Sequence, residues 1–299
     1  MSEKKVFSGK RLSFEQQLAM LESQGLQTGD TDRALRILRN VSYTRLKSYL
    51  IPLMQDRTAH RFIPGASLEQ AYTLYGFDRR FRELVFHEME KIEISIRTGL
   101  AYSSMNDEGG YWFENPAYFS NHHFHSSILR RLENEIQRSD DDSIVRFREK
   151  FSNRFPPCWI TFEASSMGLL SSIYDALKPG YFRRKLAEFY SVSDTVFASW
   201  LHHLVYIRNI CAHHGRLWNR VLSIQAMIPK SDKTSFPPQS PDASQHIYLT
   251  LCIIKYLIDI IKPENTFSAR LRILMNSFPL VDDKLMGFPS NWVEYDFWK

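Results

Sequence analysis

Trp200-Leu201-His202-His203-Leu204-Val205-Tyr206-Ile207-Arg208-Asn209-Ile210-Cys211-Ala212-His213-His214-Gly215-Arg216-Leu217-Trp218-Asn219-Arg220 is the stretch around which the chain is organised. At about 100° per residue, Trp200, Leu204, Ile207, Cys211 and Trp218 fall on one side of a helix. His202, Tyr206, Asn209, His213, Arg216 and Arg220 line the other. The first side is an apolar stripe for a core. The second carries imidazole, phenol, carboxamide and guanidinium groups where a merely solvated face shows Lys, Glu, Gln and Ser, and it suits an anionic ligand. Gly215 disfavours helix, so Asn209 and His213 are aligned more firmly than Arg216 and Arg220.

Arg208 sits about 100° round the helix from Asn209, and its long stem can reach back over that face. Arg208 and His213 can therefore share one ligand. A histidine donates or accepts a proton near neutral pH, while an arginine stays charged and grips phosphate oxygens in a fork. The pair suits phosphodiester cleavage without a metal. His213 would act on the 2′-hydroxyl and the leaving oxygen, Arg208 would stabilise charge on the phosphate oxygens, and Asn209 would position His213 or the phosphate.

The Arg, four residues, His spacing resembles the ribonuclease motif of the HEPN superfamily. The longer string from Arg208 to His213, with Arg216-Leu217-Trp218-Asn219-Arg220, is similar to its abortive-infection (Abi-like) branch. Further landmarks resemble that branch over about residues 12 to 222: Phe14-Glu15-Gln16-Gln17-Leu18, Leu35-Arg36-Ile37-Leu38, Tyr43-Thr44-Arg45-Leu46, Phe77-Asp78-Arg79-Arg80, Ile92 to Arg97, and Ser199-Trp200-Leu201. The resemblance implies an all-α, HEPN-like helical bundle and a phage-defence or toxin-type ribonuclease, with RNA as substrate and two motifs brought together in a homodimer. This chain has one copy of the motif, so a symmetric homodimer with facing His213 residues is expected. The expected products are a 2′,3′-cyclic phosphate and a 5′-hydroxyl. The competing reading is a non-catalytic RNA-binding or protein-interaction module whose Arg–His motif is structural or has lost activity, and a silencing small RNA or antitoxin is compatible with the ribonuclease reading.

Composition permits these readings without selecting one. The chain has 299 residues, 43% of them hydrophobic, with 12 glycines and 13 prolines, enough for a sizeable core and favouring helices over a turn-rich sheet. The formal charge of +5 and a pI near 9.0 agree with a polyanionic partner. Cys158, Cys211 and Cys252 are odd in number and set in apolar sequence, which predicts reduced, buried thiols rather than a disulfide framework or zinc knuckle. The start, Met1 to Phe7, lacks the apolar core of a signal peptide, and a cytoplasmic protein is expected. Ile247 to Ile261 is short for a membrane span and carries Lys255 and Asp259 four apart, so it reads as a core helix. No glycine-rich phosphate loop, serine elbow, HExxH or paired-thiol motif is present, and no cofactor is expected.

Residues 1–60 read as an N-terminal helical segment able to contact RNA, 61–265 as the bundle carrying the motif, and 266–299 as an aromatic extension docked on the body or on a second subunit. Ser13 and Gln16 form a capping box. On the helix opened by Asp30 or Thr31, Arg33, Arg36, Asn40, Tyr43 and Lys47 share one side, either a phosphate-tracking stripe or a solvated face. Arg57 to Ser67 reads as a loop. The long helix from Leu68 to Ser103 is expected to bend or break near Gly76, and Glu93 with Arg97 should pair, with a role in orienting Arg208 or His213 as a minority reading. His122, His123 and His125 suggest surface histidines at a helix start rather than a metal site. Trp159 to Leu177 reads as one helix, and Pro229 to Ser244 as a mobile loop.

Overall fold

The computed structural model describes residues 9, 11–102, 109–229, 236, 237, 239, 240 and 242–299. Among these, helices dominate and the only sheet is a two-stranded hairpin. The chain divides into two compact units. Unit 1 comprises Met1–Arg80 with Leu274–Val281, and unit 2 comprises Phe81–Ile273 with Asp282–Lys299. Met1 to Phe7, Ser103, and residues 230–235, 238 and 241 of the proline-rich stretch lie outside the described residues.

In unit 1, α1 (Phe14–Ser23) opens with the reciprocal Ser13–Gln16 capping box, and Leu18 and Leu21 are buried. Asp30 caps α2 (Thr31–Val41) by accepting the Arg33 N–H at 2.6 Å. The single helix expected from Asp30 onward is two. Ser42 takes a left-handed φ of 68°, and its side chain caps α3 (Tyr43–Leu50). The Arg33–Lys47 stripe is thus not one straight helix face. The expected loop begins as a hairpin, β1 (Met54–Asp56) against β2 (Arg61–Phe62). Helix α4 (Leu68–Tyr102) runs unbroken through Gly76, whose missing Cβ would meet nothing within 4 Å, so the glycine costs helix propensity without forcing a kink. In unit 1 the buried Tyr49 hydroxyl donates to Asp78 at 2.5 Å.

Unit 2 begins with α4 beyond Arg80 and continues through α5 (His122–Arg138), α6 (Asp142–Lys150), α7 (Cys158–Thr161), α8 (Met167–Ala176), α9 (Tyr181–Phe189), α10 (Asp194–Ala212) and α11 (Ile247–Ile261). α12 (Phe267–Asn276) crosses the unit boundary at its end. The one helix expected over Trp159–Leu177 is divided into α7 and α8. Ser and Thr side chains there satisfy backbone groups locally: Thr161 Oγ1 donates to Pro156 O at 2.6 Å, and Ser166 caps α8 through the Leu169 N–H. α8 packs against both α5 and α10. Gly168 lets α8 approach Val205 of α10, where an added Cβ would sit 3.6 Å from the valine Cγ1.

Two histidines are core residues. Against the surface reading, His125 is buried, stacks on Phe119 at 4.2 Å and donates from Nε2 to Phe113 O at 2.8 Å. His203 is 1% exposed, its Nδ1–H donating to Ile224 O at 2.7 Å while Nε2 faces Thr250 Oγ1 at 2.8 Å. The three cysteines are buried thiols, none of them in a disulfide. α11 is buried along most of its length, and among the described residues no helix is long and apolar enough to cross a membrane. Within unit 2 the aromatic tail folds onto its own body: Trp298 is fully buried, its indole N–H reaches Tyr248 Oη at 3.0 Å, and Phe297 receives Lys255 at 5.5 Å.

Candidate functional site

α10 is capped at its start by Ser193, which accepts the Val196 N–H at 3.3 Å. Trp200, Leu204, Ile207 and Cys211 bury the inner stripe, at most 5% exposed. The helix stops at Ala212, earlier than a straight reading to Arg220 would place it. His213 is its C-cap, His214 takes a left-handed φ of 56°, and the Gly215 N–H donates to Ile210 O at 2.8 Å. The reversed backbone satisfies carbonyls that the helix end would orphan. Arg216, Trp218 and Arg220 therefore lie beyond the helix, and Trp218 is buried by the returning chain rather than by helical spacing. His214 is exposed.

The outward stripe consists of His202, Tyr206, Asn209 and His213. His202, Asn209 and His213 are exposed, and the side chains of Asn209 and His213 have no hydrogen-bond partner among the described residues. Arg220 nevertheless returns to this face. Its guanidinium lies 5.9 Å from the Tyr206 ring centroid and donates to Arg216 O at 3.2 Å. Burial pushes the Tyr206 phenol up, but hydrogen bonds from Ser223 and the Arg220 guanidinium outweigh it and leave the phenol below its ordinary range. His202 instead lines a separate cleft of about 440 Å³ with Ser199, Thr195, Ser172 and Arg183.

Arg208 faces α4. Its Nε is buried, 3.7 Å from Glu93 Oε2, and the guanidinium lies 5.8 Å from the Phe86 ring centroid. Its terminal nitrogens have no hydrogen bond among the described residues. The other oxygen of Glu93 accepts from Arg97 Nη2 at 2.5 Å, and the same nitrogen reaches Ser165 O at 2.8 Å. Glu93 is thus a carboxylate between two guanidiniums, with side chains 14% and 17% exposed for Glu93 and Arg97. Phe86, Met89, Glu90 and Ile94 complete a cleft of about 290 Å³ beside Arg208. The Glu93–Arg97 spacing was legible in sequence; Phe86 and Ser165 gave no local signal, because tertiary packing alone brings the Phe86 ring to Arg208 and the Ser165 carbonyl to Arg97.

In unit 1, Arg33 is committed to Glu69 by two hydrogen bonds of 2.7 and 2.9 Å, whereas Arg36 and Lys47 are exposed. Among the described residues no group of three or more His, Cys, Asp or Glu side chains could hold a metal ion.

Fold and site define an all-α protein with an unpartnered histidine at the end of a helix and, five residues before it, an arginine steadied by a carboxylate from a neighbouring helix. A family model described as Abi-like protein matches residues 36–219, more than half of the chain. The chain belongs to the Abi-like protein family, whose role is abortive infection, a form of phage defence. No curated protein and no solved structure matches it.

Proposed function

We propose that the protein is a metal-independent HEPN endoribonuclease toxin of phage defence. The observation that carries this reading is the contrast in how the two motif side chains are held. Arg208 meets Glu93 only through an ion pair at 3.7 Å from its buried Nε, without a hydrogen bond, so its donors remain for a ligand, and the His213 ring is exposed and unpartnered. A structural Arg–His pair would be expected to spend these groups on the protein's own carbonyls and carboxylates.

His213 takes the proton from the RNA 2′-hydroxyl, whose oxygen attacks the adjacent phosphorus. The 5′-oxygen leaves, is protonated, and the products are a 2′,3′-cyclic phosphate and a 5′-hydroxyl. Arg208 stabilises the charge that builds on the non-bridging oxygens, and Asn209 contacts the phosphate. The second proton transfer needs a second group, which a symmetric homodimer supplies as the His213 of the other copy. Glu93 sets the orientation of Arg208, and Arg220 with Tyr206 extends the anion-facing surface along the chain.

The test is cleavage of single-stranded and structured RNA in EDTA by wild type and His213→Ala, with end-group analysis. Wild-type cleavage leaving cyclic phosphates, reduced on the order of 10²-fold or more in His213→Ala, is expected. Equal activity in both proteins rejects the site. Absence of cleavage beside tight RNA binding favours the non-catalytic binding module.

A further inference from the structure

We infer that the basic segment of unit 1 is a sequence-tolerant grip for the phosphate backbone of RNA, distinct from the Arg208–His213 site. The ribonuclease reading enters only in naming RNA as the polyanion.

The formal charge of the chain is segregated between its two units. Unit 1 contains 13 Lys and Arg against 8 Asp and Glu, and unit 2 contains 25 of each, so the whole excess of +5 belongs to unit 1. Residues 31–62, the span of α2, α3 and the hairpin, concentrate it further, with seven basic side chains against two acidic ones. A surface selected only for solubility intersperses both signs, as unit 2 does, while a single-sign excess costs self-repulsion and is the footprint of a polyanion partner.

Pairing within unit 1 sorts these cations. Arg33 is held by Glu69, and Arg39 meets Glu15 at 3.3 Å. Arg36, Lys47 and Arg57 are exposed, with no carboxylate partner among the described residues. Arg61 is exposed at the hairpin and forms no ion pair among the described residues, although the Asp56 carboxylate, which accepts the N–H groups of Thr58 and Ala59, lies within its electrostatic reach. Four long cationic side chains are thus available on a framework whose buried residues, Leu38, Leu46, Tyr49 and Leu50, do the packing. Unit 1 offers few exposed large apolar side chains, among them Leu12 and Ile63, so it lacks the broad apolar face with which an amphipathic element enters a lipid surface. Forked guanidiniums and a point-charge ammonium alike pair with phosphate oxygens, and contacts to the backbone carry no sequence information.

The experiment uses the full chain carrying His213→Ala, so that RNA stays intact, and compares it with the same protein bearing R36Q, K47Q, R57Q and R61Q. Affinity for fluorescent single-stranded RNAs of unrelated sequence is measured across a salt series. Removing four phosphate contacts should shrink the slope of log affinity against log salt by about 0.7 per charge, roughly 3 in all, equally for every RNA, with an unchanged circular dichroism spectrum. An unchanged slope, a loss confined to one RNA sequence, or no RNA binding at low salt overturns the inference. Phosphatidylserine vesicles bound as tightly as RNA overturn the choice of partner. If catalytically intact protein cleaves nothing, the ribonuclease reading falls while the salt slope still decides the grip.

Discussion

At the residue scale the informative atom is Arg208 Nε, which is buried, lacks a hydrogen bond and lies 3.7 Å from Glu93 Oε2, so this guanidinium is positioned by an ion pair and packing rather than freely solvated. Coupling between the two residues is expected in kinetics. Glu93→Gln should lower kcat on the order of tenfold with little change in KM, and should have almost no further effect in an Arg208→Ala background. Additive losses would assign Glu93 to general stability alone. His203 illustrates the opposite fate of an imidazole, because burial depresses it from 6.5 to about 4 despite its hydrogen bond to Ile224 O. Its folded value lies below its unfolded one, so the unfolded chain binds more protons between these limits. Stability from keeping His203 neutral is complete above about pH 6.5 and is lost as pH falls towards 4, by about 3 kcal/mol in all. Urea unfolding at a series of pH values should show that loss, and His203→Gln should flatten it.

At the scale of elements, helix termini decide where the site lies. The left-handed His214 and the Gly215 N–H bonded back to Ile210 place His213 on the last turn, open to solvent, instead of in mid-helix. The aromatic tail is the second such case. Trp298 is fully buried, and its carbonyl accepts from Arg272 Nη2 at 2.5 Å. Trp298→Ala should destabilise unit 2 by about 3–5 kcal/mol, the usual cost of emptying a large aromatic site. Denaturant unfolding would register this as a lower midpoint, and a change below about 1 kcal/mol would mean that the tail is marginal to the core.

At the scale of the whole molecule, one motif copy per chain makes concentration a variable. If the composite site forms between two copies, activity per protomer should rise with protein concentration and level off where sedimentation shows the dimer complete. Activity per protomer that stays constant for a sedimenting monomer would remove the dimeric mechanism and leave His213 to serve both proton transfers alone.

Periodicity made the all-α class, the inner stripe of α10 and the α11 core helix legible, because burial on one helix face imposes a spacing that local sequence must obey. The capping box of Ser13 and the Glu93–Arg97 pair were legible for the same local reason. Sequence alone determined which residue types could do phosphate chemistry and that four residues separate Arg208 from His213. Tertiary structure decided which of them were free: it tied Arg33 to Glu69, buried His125 and His203, carried Arg220 back over Tyr206, and set Glu93 behind Arg208. Those outcomes depend on neighbours distant in the chain, whose distances and burial are fixed only when separate helices pack, and no spacing within one helix encodes them.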